Sequence, residues 1–287
     1  MAVAFFLLAA PAFVRADTAN TYNLFLSGNL SGLSSDVEGR TAIGGAATLS
    51  NYSLGATLPG APTSTALVVA GRLTDSNGSI YGNAFVGGTS VLSNVNFANG
   101  GTLATGSGGL NFANEVARLH SLSDNLAALT ADGTTTNTFG QLTLTGVKTG
   151  LNVFYVAGSA LSTANGVSII VPAGAFAVIN IDGAADQFAN LGVTSTSGAT
   201  RDLFNFYTAT SLFVGGITVE GSILAPQASV TATSGAINGQ LIAYSLSSGG
   251  QPTAQIIMYC SPERFWLRAA SHPRVAVRFR NRLHGPY

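Results

Sequence analysis

Three charged residues lie close together in a chain that carries few charges. The stretch 34-SSDVEGRTAIGG-45 contains Asp36, Glu38 and Arg40, whereas only 8% of the 287 residues are charged. If residues 36–41 form a strand, the three side chains share one face, because side chains alternate along a strand. Two carboxylates beside a guanidinium can act as a general acid and base, or form half of a Ca²⁺ site.

The same trio also has a structural interpretation. Arg40 can bridge its own neighbours or an adjacent coil, which would neutralise the charges locally. The Val-Glu-Gly element recurs at residues 219–221 without the Asp or the Arg, so this local backbone does not require the full trio. We therefore take Asp36, Glu38 and Arg40 as a candidate ligand-binding or structural charge cluster. We predict no catalytic residue, no metal ligand and no cofactor.

The other acidic residues do not favour an enzyme. A polysaccharide-cleaving β-helix needs several clustered acids, whereas the acids outside the trio are scattered, among them Asp75, Asp132, Asp182, Asp186 and Asp202. Asp182 and Asp186 follow a predicted strand and are expected to serve turns. His120 is expected to be a half-buried polar residue of a helix. Neither an EF-hand loop, a nucleophile elbow nor a P-loop motif occurs in the sequence.

A weak internal repeat indicates how the chain is organised. Residues 37–44, 80–87, 219–226 and 237–244 share a β-branched residue, then a variable one, then Gly, followed two positions later by mostly apolar residues. A strand-and-turn unit that recurs about every 18–22 residues predicts a solenoid, whose coils cover one another's apolar faces. The Gly would mark a corner. Chance similarity among glycine-rich segments is the alternative.

One segment follows a helical pattern. Within residues 111–129, apolar side chains recur at spacings of three and four, at Phe112, Val116, Leu119, Leu122, Leu126 and Leu129. This spacing predicts an amphipathic helix that begins near Asn111 and ends before the Asp132-Gly133 pair, with its stripe against the core. Most other segments are short, branched and bounded by Gly, Pro or Asn, which predicts strands.

The two ends differ from the body in composition. Residues 1–16 are expected to be a secretory signal peptide cut after Ala16, although a positive n-region is missing; a buried N-terminal element is the alternative. Residues 17–259 would form the solenoid domain. Residues 1–259 contain six basic and 11 acidic residues, whereas residues 260–287 contain six Arg and only Glu263. The body thus offers no basic surface for nucleic acid, and the single Cys260 supports no disulfide framework.

Several motifs, in order, resemble the choice-of-anchor A domain family over about residues 22–246. They are SSDVEGR-x-A-x-GG, 119-LHSLSDNLAAL-129, 151-LNVF-154, 171-VPAG-174, 178-VINIDG-183, 204-FNF-206 and 223-ILAPQASVTATSGAINGQLIA-243. The resemblance implies a secreted bacterial surface protein, some members being named as collagen-binding proteins or adhesins. Residues 219–243 also resemble the end of the ice-binding β-solenoid family. That likeness implies an all-β, right-handed parallel β-helix with one α-helix packed along its flank.

The C-terminus departs from this pattern. Residues 260–287 contain no apolar span, so we interpret them as a divergent or frameshifted anchor, or as a basic tail that contacts an acidic polymer. No run after the N-terminus reaches the ~18 apolar residues that a membrane span needs.

We therefore expect a secreted or extracellular, cell-surface-associated and non-enzymatic protein. It would resemble an adhesin and bind a polymer, a glycan or a host or matrix protein. The alternatives are an ice-binding or a carbohydrate- or collagen-binding module and, less favoured, a polysaccharide-active enzyme. Ice binding would need regular rows of hydroxyl and methyl groups. From the sequence, the pairs Thr143/Thr145 and Thr231/Thr233 are not expected to recur on successive coils.

Overall fold

A computed structural model describes residues 18–59, 64–249 and 256–258, and strands dominate it. One long helix, α1 (Phe112–Ala127), and one short helix, α2 (Gly158–Ser162), accompany two 3₁₀ turns at Ala19–Thr21 and Ala199–Arg201. The strands are β1 Leu24–Leu26, β2 Leu30–Val37, β3 Thr41–Ile43, β4 Ala47–Leu54, β5 Thr65–Val69, β6 Leu73–Ser76, β7 Ser79–Tyr81, β8 Asn83–Val86, β9 Ser90–Ser93, β10 Asn96–Ala98, β11 Leu103–Thr105, β12 Thr134–Thr138, β13 Gln141–Thr145, β14 Leu151–Val156, β15 Gly166–Ile170, β16 Phe176–Ile181, β17 Ala185–Ala189, β18 Gly192–Ser195, β19 Asp202–Phe206, β20 Ser211–Gly215, β21 Ile217–Val219, β22 Ser222–Ala232, β23 Gly235–Ile237, β24 Leu241–Ser248 and β25 Ile256–Met258.

The strands stack into a parallel β-solenoid with three faces, as the sequence predicted. The first face contains β14, β16, β19, the first half of β22, the first half of β24, then β1, β3, β5, β8 and β11. The second face contains β17, β20, the second halves of β22 and β24, the first halves of β2 and β4, then β6 and β9. The third face holds the remaining strands, including the antiparallel pair β12–β13.

The order of the coils in space differs from their order in the chain. Strand β1 pairs with β24 on one side and with β3 on the other, so Leu24 lies in register with both Leu241 and Thr41. The N-terminal coils therefore stack directly on the last C-terminal coil. Gln240 strengthens this junction, because its side-chain amide donates to the backbone oxygen of Tyr22 at 2.5 Å.

Helix α1 returns along the first face and connects the two halves of the stack. The side chain of Asn111 caps the helix by accepting from the Asn114 amide at 3.1 Å. Leu119, Leu122 and Leu126 are buried against the solenoid, as the stripe predicted. Each buried Leu contributes about 1.5–3 kcal/mol. The expectation for Leu129 was wrong: it lies past the helix end and is 40% exposed.

Buried polar side chains bind the helix to the strands beneath it. Ser123 donates to the Asn205 side chain at 2.6 Å, and Asn205 donates to the Asn180 side chain at 2.8 Å. Asn180 in turn donates to the backbone oxygen of Leu126 at 2.7 Å. Because Asn180 and Asn205 lie on neighbouring rungs, this network fixes the helix along the stack as well as against it.

The corners use residues that tolerate a turn. Strand β2 ends at Val37 and β3 begins at Thr41, so Gly39 lies in a corner, where a Cβ atom would come within 1.9 Å of the Asn23 side-chain oxygen. Positive φ angles of 50°, 55° and 54° occur at Asn51, Asn77 and Asn94, which turn the chain out of the second face on successive coils. Asn is among the few non-glycine residues that adopt this conformation readily.

Among the described residues, no helix has the length and hydropathy of a membrane span. The predicted signal peptide, Cys260 and the basic tail lie outside the described residues.

Candidate functional site

The charged trio is divided between a strand and a corner. Asp36 lies near the end of β2, in register with Ser53 and Ile257, whereas Glu38 and Arg40 lie in the turn to β3. Residues 36–41 therefore do not form one strand, which was the condition for the three side chains to share a face. Burial, and secondly the charge of Glu38, raise the pKa of Asp36 to about 6. The two carboxyl groups are thus close enough to interact.

Arg40 connects the corner to its surroundings. Its Nε donates to the backbone oxygen of Thr65 at 3.0 Å, and another guanidinium nitrogen donates to the Thr21 hydroxyl at 3.1 Å. The guanidinium carbon lies 4.4 Å from the centre of the Tyr22 ring, the distance of a cation–π contact. Arg40 therefore links strand β5 to the 3₁₀ turn at Ala19–Thr21 and stabilises the scaffold there.

The remaining acids that the structure describes lie in different surroundings. Within residues 18–59, 64–249 and 256–258, no group of three or more His, Cys, Asp or Glu side chains could hold a metal ion. Asp182 accepts from the Tyr155 hydroxyl and from the Gly158 amide, so it stabilises a turn as expected. The expectation for Asp186 was wrong, because this residue faces inward from strand β17.

Three buried carboxyl groups stand out by their surroundings. Asp75, Asp186 and Asp202 are 1%, 4% and 0% exposed. Burial raises the pKa of each to about 6, because a charged carboxylate loses its hydration inside the protein. Asp75 faces the inside of the solenoid, and its register partners on the two neighbouring rungs are Leu49 and Leu92. Each of these raised pKa values makes the stability of the fold depend on pH.

The second face carries an unbroken row of hydroxyl groups on consecutive rungs. Register pairs Thr231 with Ser247, Ser247 with Ser31, Ser31 with Thr48, and Thr48 with Thr74. All five side chains point outward, and all but the half-buried Thr74 are exposed. Phe213 ends the row on one side and Val91 on the other.

Two shorter rows flank this central row. Ser211, Ser229 and Ser245 lie in register on one side, two residues before the central row in each strand. Ser50, Ser76 and Ser93 form the row on the other side, and Ser76 donates to Ser50 at 3.1 Å. We call the three rows together the hydroxyl face. No member of these rows carries a charge.

The sequence-based expectation that hydroxyl groups do not recur was wrong for one residue of each Thr pair, Thr231 and Thr143. Thr231 belongs to the central row of the hydroxyl face. Thr143 belongs to a second row on the small sheet, where Thr136, Thr143, Ser168 and Thr194 lie in register. The central row combines residues from distant parts of the chain, so it can be recognised only once β2 is known to pair with β24.

A family model described as "Putative Ice-binding-like adhesive domain" matches residues 15–253. The chain therefore belongs to this family. No curated protein matches the chain.

Similar solved structures include three ice-binding proteins. One comes from the Antarctic ascomycete Antarctomyces psychrotrophicus, with 12% identity, 86% of this chain and 99% of that chain covered, and a TM-score of 0.42. One from an Antarctic biological consortium has 14% identity, 89% and 96% coverage, and a TM-score of 0.35. One from an Antarctic Flavobacteriaceae bacterium has 12% identity, 84% and 81% coverage, and a TM-score of 0.34.

Proposed function

We propose that this member of the ice-binding-like adhesive domain family is a non-enzymatic adhesive protein, and that its hydroxyl face binds an extended, periodic and uncharged surface. The observation that carries the proposal is the uninterrupted central row from Thr231 to Thr74. Neighbouring rungs of a sheet are about 4.8 Å apart. The central row therefore repeats hydroxyl groups at a fixed interval along the stack, and each flanking row does so over three strands.

A rigid array of this kind can bind although each contact is weak. A single hydrogen bond contributes a net free energy of about 0.5–1.5 kcal/mol. When the partner repeats at the same interval as the row, several hydrogen bonds form at once and their free energies add. The backbone holds the hydroxyl groups in place before binding, and the β-branched Thr side chains have restricted rotamers. Binding therefore costs little conformational entropy.

The proposed location of the protein is extracellular. The apolar segment at residues 1–16 and the resemblance to the choice-of-anchor A family both support secretion and association with a cell surface. The proposed partner is a polymer, a glycan or a host or matrix protein, and the proposed role of Asp36, Glu38 and Arg40 is to support a corner of the scaffold.

Ice is the second candidate surface. The rows on the hydroxyl face meet the requirement for regularly spaced hydroxyl groups, and the two Thr residues at 48 and 74 add methyl groups to adjacent rungs. Ice binding and adhesion to a polymer use the same face, so the choice between them depends on the spacing and chemistry of the partner.

An adsorption panel tests the proposal. Purified protein is incubated with growing ice, crystalline cellulose, chitin and immobilised collagen, and the bound fraction is measured for the wild type and for Thr48→Tyr. We expect retention on at least one of these surfaces and its loss in the variant, because a Tyr ring would stand above the central row. Adsorption to none of them, or equal adsorption by Thr48→Tyr, would contradict the proposal.

A further inference from the structure

A groove lies where helix α1 meets the corner between the first and second faces. Its wall and floor include Ser27, Phe112, Val116, His120, Gln227 and Tyr244. The volume of this open groove is about 530 Å³, and small-molecule sites typically have roughly 300–1,000 Å³. We call it the corner groove.

Tyr244 forms an exposed but supported aromatic wall of this groove. The side chain is 51% exposed. A Cβ atom at Gly28 would lie only 3.2 Å from two carbons of the Tyr244 ring, so the ring rests against a backbone that has no side chain. The Gly28 amide also donates to the backbone oxygen of Tyr244 at 2.6 Å. The ring is therefore positioned before any ligand arrives, which lowers the entropy cost of binding.

The polar groups of the groove are neutral donors and acceptors. The side-chain amide of Gln227 contacts the backbone oxygen of Tyr207 at 3.5 Å, and Ser27 contributes a hydroxyl group. His120 has no hydrogen-bond partner among the residues that the structure describes, so both ring nitrogens are available to a ligand. No Asp, Glu, Lys or Arg side chain lines the groove.

This combination selects for one class of ligand. An aromatic ring with an apolar floor favours a ligand that has an apolar face, and the surrounding hydroxyl, amide and imidazole groups require hydrogen-bonding partners. A charged ligand would lose hydration without meeting an opposite charge. A hexose ring has C–H groups on its faces and hydroxyl groups at its edge, and it carries no charge.

We propose that the corner groove binds a neutral hexose unit of a glycan, with the sugar ring stacked on Tyr244 and its hydroxyl groups bonded to His120, Gln227 and Ser27. The site goes beyond the proposed adhesion through the hydroxyl face, because it needs a single sugar rather than a periodic surface. Tyr244 also borders a hollow of about 480 Å³ on the hydroxyl face, together with Ser31, Thr48 and Ser229. A glycan chain that leaves the groove can therefore continue onto that face.

Titration calorimetry on the full chain tests the site. The probes are cellohexaose, maltohexaose and mannohexaose, with hexagalacturonate as the charged comparison. We expect at least one neutral hexasaccharide to bind more tightly than hexagalacturonate. Tyr244→Ala should weaken that binding about tenfold or more, which corresponds to the loss of one good contact, whereas Tyr244→Phe keeps the aromatic ring and should stay within about threefold.

A second variant, His120→Ala, tests the same site in case Tyr244→Ala does not fold. His120 lies on the half-buried side of α1 and outside its buried stripe, so His120→Ala should preserve the fold and weaken binding several-fold. Thr143→Tyr, on the small sheet, should bind like the wild type. The proposal is overturned if no neutral hexasaccharide binds, if hexagalacturonate binds as tightly, or if His120→Ala and Tyr244→Ala both bind like the wild type.

The two proposals fail separately. Loss of adsorption in Thr48→Tyr with no saccharide binding would leave the hydroxyl face supported and the corner groove refuted. Saccharide binding that depends on Tyr244, with no adsorption to any surface in the panel, would support the corner groove and refute the hydroxyl face as a binding surface.

Discussion

Ser31 and Ser247 lie in register on adjacent rungs of the second face, although they come from opposite ends of the described chain. This pairing is part of the junction that places the N-terminal coils on the last C-terminal coil. It also joins two short hydroxyl segments into the central row of the hydroxyl face. The proposed binding surface therefore exists only if this junction forms.

A cross-link tests the junction in solution. Adjacent rungs are about 4.8 Å apart, and disulfides join Cα atoms that are about 4.4–6.8 Å apart. In a Cys260→Ser background, we expect Ser31→Cys with Ser247→Cys to form a disulfide under mild oxidation. Faster migration on a non-reducing gel measures it. The control pair Ser31→Cys with Ser93→Cys lies several rungs apart and should stay reduced; equal cross-linking of both pairs would contradict the junction.

Stability should fall as the pH rises from acidic to neutral. The pKa of Asp75 changes from an ordinary 3.8 to about 6 on folding, and those of Asp186 and Asp202 rise similarly. Between these pH values the folded state binds more protons than the unfolded state, so this contribution is complete below about pH 4 and is lost as the pH passes 6. Chemical denaturation should give a larger free energy of unfolding at pH 4.5 than at pH 7.5.

Two substitutions isolate the effect of the buried carboxyl groups. Asp75→Asn removes a charge from the core and should raise the free energy of unfolding at pH 7.5 by on the order of 2 kcal/mol. Burial opposes ionisation of Asp132, but its bond to Lys148 lowers its pKa, so Asp132→Asn should destabilise at the same pH. A loss of stability in Asp75→Asn at pH 7.5 would contradict this description of its surroundings.

The polar network under α1 should be important for stability. Asn205→Ala leaves the Asn180 side-chain oxygen and the Ser123 groups without their buried partner. Buried polar groups without a partner cost about 1–3 kcal/mol each, so we expect a loss of about 2–4 kcal/mol in urea denaturation. Ser121→Ala, on the exposed side of the same helix, should change stability by less than about 0.5 kcal/mol. Equal effects of the two substitutions would show that the network does not hold the helix.

The sequence predicted the elements better than their arrangement. The spacing of Leu119, Leu122 and Leu126 is local information, and it placed helix α1 correctly. The corner at Gly39 was also predictable, because the V-x-G pattern recurs there. These features depend on a few neighbouring residues, so the sequence alone contains them.

The rows of hydroxyl groups were not predictable for a physical reason. Register between coils depends on the length of every corner, and the corners differ in length. Thr48 and Thr231 share one row only because β24 pairs with β2, a contact between distant parts of the chain. Asp75 was missed similarly, since its inward direction follows from the alternation of β6 and not from its own polarity.

The most direct test of binding through the hydroxyl face compares two matched substitutions. One lies in the central row of that face, and the other lies in the row of hydroxyl groups on the small sheet. Thr48→Tyr places a bulky ring in the middle of the hydroxyl face, and Thr143→Tyr places the same ring on the row of the small sheet. Adsorption constants on whichever surface retains the wild type are measured for both variants, after circular dichroism has shown that both are folded. The account predicts that Thr48→Tyr binds at least about thirtyfold more weakly, equivalent to about 2 kcal/mol, while Thr143→Tyr binds like the wild type. Equal adsorption by the two variants, or a loss confined to Thr143→Tyr, would contradict it.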